Sequence, residues 1–247
     1  MPSPADPIRN ILLTNDDGID APGLLALEKF VHITFGESAR VVVVAPDRGR
    51  SECGHGVENA QPLTVREHGP NRFSVSGTPV NCVRLGLNEF LPNADWVFSG
   101  INQGANLGVD VLVSGTVAAA REAALQGVRS IALSHYRHPA VPKSWDHVPR
   151  WLGPAFQWVL TQAERTRPSR PTPVWNINLP ALDPEMESVP WIQCPIDPTP
   201  IPLETHRNGE EMTWTMDFHG RPRMPAGDVD RCFSGHITVS QIHPHLS

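Results

Sequence analysis

The sequence predicts an α/β protein, with helices on both faces of a mostly parallel sheet and a small antiparallel β extension in the second half. Three observations predict it. Strand-like and helix-like segments alternate through about residue 135. In the run "ARVVVVAP" the residues from Val41 onward are apolar without a break, as strands buried on both faces are. Polar clusters follow several strand-like segments, at the carboxyl ends where open parallel sheets bind ligands.

Residues 9–14 read as the first strand. Residues 22–35 read as a helix, with Leu24, Leu27 and Val31 on one face and Asp20 and Pro22 as start signals. Residues 39–46 are the second strand. Residues 62–77 read as an inserted hairpin that turns near Gly69 to Asn71. A helix over 79–90 and a strand over 94–100 follow. After a Gly-rich loop, "TVAAAREAALQG" is a strong helix with Gly127 as its stop. Residues 129–136 are again strand. This alternation implies a parallel sheet covered on both faces.

The second half is less regular. Residues 146–165 can form a long helix. "PVWNINLP", "VPWIQCP", "EMTWTMDFH" and "GHITVSQI" read as strands of the antiparallel extension. The expected organisation is one domain over 1–247. Its core would span about 9–140 and 146–180, and a β-rich, Pro-rich extension about 181–247. The 26 prolines exceed the usual share and concentrate in this half. Trp175, Trp191, Trp214 and Phe218 recur among them and need burial, so loops rather than disorder are expected.

Composition narrows the partners. The chain has 247 residues, enough for a substantial core. Its 20 basic and 26 acidic side chains give a formal charge of −6, which argues against a nucleic-acid partner. The longest aliphatic run, Val41 to Ala45, is far too short to span a bilayer. The start, "MPSPADPIRN", has no apolar signal region. Cys53, Cys82, Cys194 and Cys232 are scattered and form no C-x-x-C pair, so neither a zinc site nor a redox motif is indicated. The reading is a cytoplasmic protein with reduced cysteines, bound to neither membrane nor nucleic acid.

The chemistry concentrates at strand ends. "ILLTNDDGIDAPGL" carries Asp16 and Asp17, two adjacent carboxylates that repel one another and need a positive charge nearby. "APDRGRSECGHG" offers the hydroxyl of Ser51, and "SGIN" offers the side-chain carbonyl of Asn102. An all-oxygen set suits a hard divalent ion, Mg²⁺ or Mn²⁺, rather than zinc. Neighbouring residues on a strand point to opposite faces, so both carboxylates reach one ion only where the strand has ended; Gly18 permits that turn. Ser114, Gly115 and Thr116 lie where the Ala-rich helix begins, a ready anion site. Each signal has a plainer reading when taken alone. Asp16–Asp17 is then a turn, Ser51 a solvated serine and Thr116 an N-cap. His55 is then a structural loop histidine, and the terminal pair His243 and His245 is solvated.

At these residues the sequence resembles the SurE family, metal-dependent nucleotide phosphatases named as stationary-phase survival proteins. The matching stretches are "ILLTNDDGIDAPGL", "VVVVAPDRGRS", "SGTPVNCVRLGL" and "SGINQGANLGVDVLVSGTVAAA", in that order. The resemblance implies a Rossmann-like three-layer core and hydrolysis of nucleoside 5′- and 3′-monophosphates, in some members polyphosphate as well. It implies one divalent ion per subunit, held by Asp16, Asp17, Ser51 and Asn102, with Asp16, Asp17 and Asn102 as the catalytic set. It puts the phosphate-contacting loop on Asn106, Ser114, Gly115 and Thr116; Asn15, Gly54 and His55 complete the substrate-contact candidates. Glu52 and Cys53, the stretch "GVENAQPL" and Val113 depart from the family pattern beside the pocket. The chain ends soon after its last strand-like segment, which weakens any carry-over of a homodimer or tetramer.

Hydrolysis by a water attacking in line, or through an aspartyl-phosphate on Asp17 or Asp16, both fit these residues. Water is favoured, because a carboxylate bound to metal is the poorer nucleophile. Two alternatives are a non-catalytic nucleotide-binding regulator and a phosphatase of other small phosphate esters.

Overall fold

The computed structural model describes residues 8–51, 53–165 and 171–244; Glu52 and His245 lie outside them. Nine strands form one sheet in the order β3-β4-β2-β1-β5-β6-β7-β11-β8. They are β1 (Asn10–Thr14), β2 (Arg40–Pro46), β3 (Val65–Gly69), β4 (Arg72–Val75), β5 (Trp96–Asn102), β6 (Arg129–His135), β7 (Val174–Leu179), β8 (Trp191–Gln193) and β11 (Ile237–Ile242). The neighbours from β4 through β7 all pair in parallel, as does β11 with β8; β3 on β4 and β11 on β7 are antiparallel. A separate antiparallel pair, β9 (Glu204–Asn208) and β10 (Glu211–Thr215), stands off the sheet.

The central strands β1 and β2 are rich in consecutive apolar residues because both faces are covered. Ile11 and Leu13 pack into the cluster under α1 (Pro22–Phe35) and α4 (Val148–Arg165), with Phe98, Trp151 and Phe156. Leu12 packs on the other face with Val42, Val97, Cys82 of α2 (Pro79–Leu85) and Ala119 of α3 (Gly115–Leu125). Ala118, Ala119 and Ala120 of α3 are all fully buried; their small side chains let that helix lie close to the sheet. A short helix, α5 (Asp228–Phe233), precedes β11.

Several expectations are corrected. The helix expected over 79–90 is α-helical only to Leu85 and continues as a π-helical turn, Gly86–Phe90. Asp20 does not cap α1: the N-cap is Ala21, with no side-chain hydrogen bond, and Pro22 opens the helix. Of the four strands assigned to an antiparallel extension, only that in "EMTWTMDFH" forms one, while β7, β8 and β11 extend the main sheet. Every residue of β7 is buried, although its sequence "VWNINL" includes two asparagines. Its polar face is internal, because the Asn176 and Asn178 amides both donate to the Asn106 carbonyl, at 2.9 and 3.0 Å. Trp214, expected to need burial, is 68% exposed, because every residue of β9 and β10 faces solvent.

The chain leaves β1 for β2 on one side and returns to β5 on the other. The sheet therefore has a switch point between β1 and β5, where the loops above the strand ends part to form a crevice.

Candidate active site

The loop after β1 is shaped by its own side chains. Asn15 donates from Nδ2 to the Gly18 carbonyl at 2.8 Å and accepts at Oδ1 from the Gly18 N–H at 3.2 Å. Gly18 takes a φ of +106°, the left-handed region that favours glycine. The strand ends at Thr14, so Asp16 and Asp17 both reach a single cavity. The loop after β2 is fastened to them, the Arg50 N–H donating to the Asp16 carbonyl at 2.7 Å. It brings Ser51 to the same cavity, and the end of β5 brings Asn102.

Asp16 is buried, and its Oδ1 accepts the Thr116 hydroxyl at 2.5 Å. Burial pushes its pKa up to about 6; the Thr116 bond works against this and the neighbouring Asp17 adds to it. Asp17 accepts from the Gln103 N–H at 3.0 Å. Asn102 uses its Nδ2 on the Gly104 carbonyl at 2.9 Å, so its Oδ1 is the group left to offer. No ion pair among the described residues reaches Asp16 or Asp17. Two carboxylates, a hydroxyl and an amide carbonyl thus border one space without a cationic side chain to compensate them. That donor set fits a hard divalent cation.

The remaining candidates separate. Ser114 borders the cavity, but its Oγ caps α3 by accepting from the Val117 N–H at 3.1 Å. The cap is therefore Ser114, and the Thr116 hydroxyl is committed to Asp16. Gly115 leaves no room for a side chain: a Cβ there would lie 2.9 Å from Asp16 Cβ and 3.2 Å from the Cys53 sulfur. Asn106 also lines the cavity, with its Nδ2 donating to Ser134 Oγ at 2.8 Å. Gly54 ties its loop to the Val113 carbonyl at 3.0 Å. His55 turns toward α3, its Nε2 lying 2.9 Å from Glu122, and is not among the cavity-lining side chains. Asn15 is spent on the turn.

The cavity, about 240 Å³, has a wall that sequence reasoning missed. Met216 and Phe218 come from the strap that follows β10, and Asp110 from the 3₁₀ turn Gly108–Leu112. Asp110 pairs with the buried Arg221 guanidinium at 2.5 Å. Met216, Phe218 and Arg221 lie about a hundred positions beyond the last strand-end motif and carry no local signal, whereas Asp110 sits within that motif. The recurrence of aromatics in the second half was the one available hint.

A second buried cluster lies at the end of β6. His135 Nδ1 donates to the Tyr136 carbonyl at 2.9 Å, and His135 Nε2 then accepts from His147 Nε2 at 2.8 Å. The carbonyl can only accept, which fixes both neutral tautomers. Trp145 and Trp151 pack edge-on and tilted against these rings. Burial, and then Arg137, pull the pKa of His135 down to about 3 and that of His147 to about 4.

The family described as "Survival protein SurE" matches residues 11–194. A putative 5′-nucleotidase of Synechocystis sp. is 41% identical over 236 residues, covering 94% of this chain and 99% of that one. The 5′-nucleotidase SurE of Citrifermentans bemidjiense is 38% identical over 243 residues, covering 96% and 94%. The crystal structure of the SurE protein from Aquifex aeolicus superposes with a TM-score of 0.79 at 28% identity, covering 96% of this chain and 94% of that one.

Proposed function

The chain belongs to the SurE family, and from that premise we propose that it is a metal-dependent phosphomonoesterase that hydrolyses nucleoside 5′- and 3′-monophosphates. One observation carries the reading: Asp16, Asp17, Ser51 and Asn102 border one cavity at the switch point, beside the N-terminus of α3. When bound among them, one Mg²⁺ or Mn²⁺ per subunit supplies Lewis-acid neutralisation of phosphoryl oxygens.

The chain's own groups do the rest. Thr116 and Gln103 hold the two carboxylates in fixed orientations. Asn106, locked by Ser134 and Asn178, and the start of α3 border the same cavity and are the groups proposed to meet the phosphoryl oxygens. Arg221 neutralises Asp110, so that carboxylate does not repel an incoming phosphate ester. The same reading has the protein act in the cytoplasm, consistent with four free cysteines, as a homodimer or tetramer that light scattering would check.

A panel of nucleoside monophosphates with Mn²⁺ or Mg²⁺, assayed for free phosphate, tests the proposal. Release that stops with chelator and returns with metal is expected. Binding without release would favour a regulator instead.

A further inference from the structure

The cavity is bordered by two kinds of group: the oxygen donors and an apolar wall to which Phe218 and Met216 contribute. Its 240 Å³ is room for roughly eight waters, well beyond a phosphoryl group. The wall is braced from behind. Tyr136 and Phe233 stack at 4.4 Å between centroids, and the Phe218 ring rests 6.1 and 5.8 Å from them. The Arg221 guanidinium lies 5.3 Å from the Phe218 centroid while pairing with Asp110, so one buried cation fastens the strap to the turn ahead of α3. The half-buried Phe218 therefore presents a supported aromatic surface at the same cavity that the oxygen donors line.

We propose that Phe218 is the platform on which the substrate's nucleobase stacks, with Arg221 as its positioning residue. The inference rests on the phosphomonoesterase reading and deepens it: the preferred esters are those with a flat aromatic group at the far end from the phosphate. Stacking tolerates every base because each has a π-face. Preference should therefore be broad and should rise with ring area, purines over pyrimidines.

The test compares adenosine 5′-monophosphate with ribose 5-phosphate, which lacks the base, on the metal-loaded enzyme. Phe218→Ala should raise KM for the nucleotide roughly tenfold while leaving kcat near the original value. Its kcat/KM for ribose 5-phosphate should not move. Phe218→Leu, which keeps most of the packing volume, should behave like Phe218→Ala, and Phe218→Trp should restore the nucleotide KM. Equal losses on both substrates, or no loss on the nucleotide, would overturn the platform.

Calorimetric binding of the two ligands to the Asp17→Asn protein separates this from the parent reading. A roughly tenfold loss of nucleotide affinity on adding Phe218→Ala, with ribose 5-phosphate unaffected, supports the platform even if the wild type releases no phosphate. An unchanged nucleotide affinity overturns the platform even if turnover is normal.

Discussion

Two clusters of buried titratable groups sit at the ends of neighbouring strands, and they have opposite characters. Above β1 and β5, Asp16 and Asp17 face an open cavity, and no cationic side chain among the described residues is paired to them. Above β6, His135 and His147 bond to each other and to a carbonyl, closed in by two tryptophans. Burial shifts a pKa in both places, toward the neutral form each time. Burial alone therefore does not mark a site. Like-charged groups left facing shared space do, and a closed chain of neutral rings, in which only His147 Nδ1 lacks a partner among the described residues, does not.

The largest expected effect breaks the first cluster. Asp16→Asn should lower phosphate release by about a thousandfold or more. The same change removes a carboxylate that burial disfavours, so in chelator the variant should melt at or above the wild-type temperature. Near-normal turnover, or a fall in melting temperature of many degrees, would erase the contrast.

The second cluster should answer in stability. Both histidines have folded pKa values below the ordinary 6.5, so between pH 6.5 and about 4 the unfolded chain binds more protons than the folded one. Stability is then full above pH 6.5 and falls with acid, by up to about 1.4 kcal/mol per pH unit for each group. In urea unfolding across that window, His147→Leu should reduce the slope by roughly half. An unchanged slope would show that the pair does not titrate on unfolding.

A third experiment asks whether the wall depends on a charge pair. Arg221→Met leaves Asp110 uncompensated and should cost about 3 kcal/mol of stability together with a raised substrate KM. Adding Asp110→Asn should recover part of both. A double variant as poor as the single one would assign Arg221 to packing alone.

The smallest effect concerns the loop that carries Ser51. Burial raises the Glu122 pKa, but hydrogen bonds from His55, Arg84 and Gln126 outweigh it and hold the carboxyl down at about 2. This stabilisation is present above the unfolded value near 4.3 and is lost as pH falls toward 2. Glu122→Gln should cost about 1 kcal/mol at pH 7, with the gap to wild type closing below pH 4. A gap constant with pH would remove the charge from the explanation.

The sequence made the oxygen-donor end of the cavity legible for a physical reason. Asp16, Asp17 and Asn102 follow directly on apolar strand runs, so chain continuity alone carries them to one edge of the sheet. Ser114 and Thr116 both stand at the start of α3, but the cap is Ser114 and the Thr116 hydroxyl meets Asp16, since a cap and a side-chain bond two residues apart have the same sequence pattern. His55 belongs with α3 because Glu122, 67 residues later, claims it. The wall was not legible: nothing local distinguishes Phe218, which reaches the cavity, from Trp214, which points to solvent. The placement of β7 was hidden because Asn176 and Asn178 look solvated until Asn106 is seen to satisfy them.

The strap has a practical consequence. Acid groups and wall come from separate stretches of chain, joined by the Arg221–Asp110 pair and by the packing of Phe218 on Tyr136 and Phe233. A chimera that exchanges residues 216–221 and keeps that pair would swap the part that meets the far end of an ester while leaving the donor set intact. Which molecules enter and how they are cut are, in this architecture, separately editable.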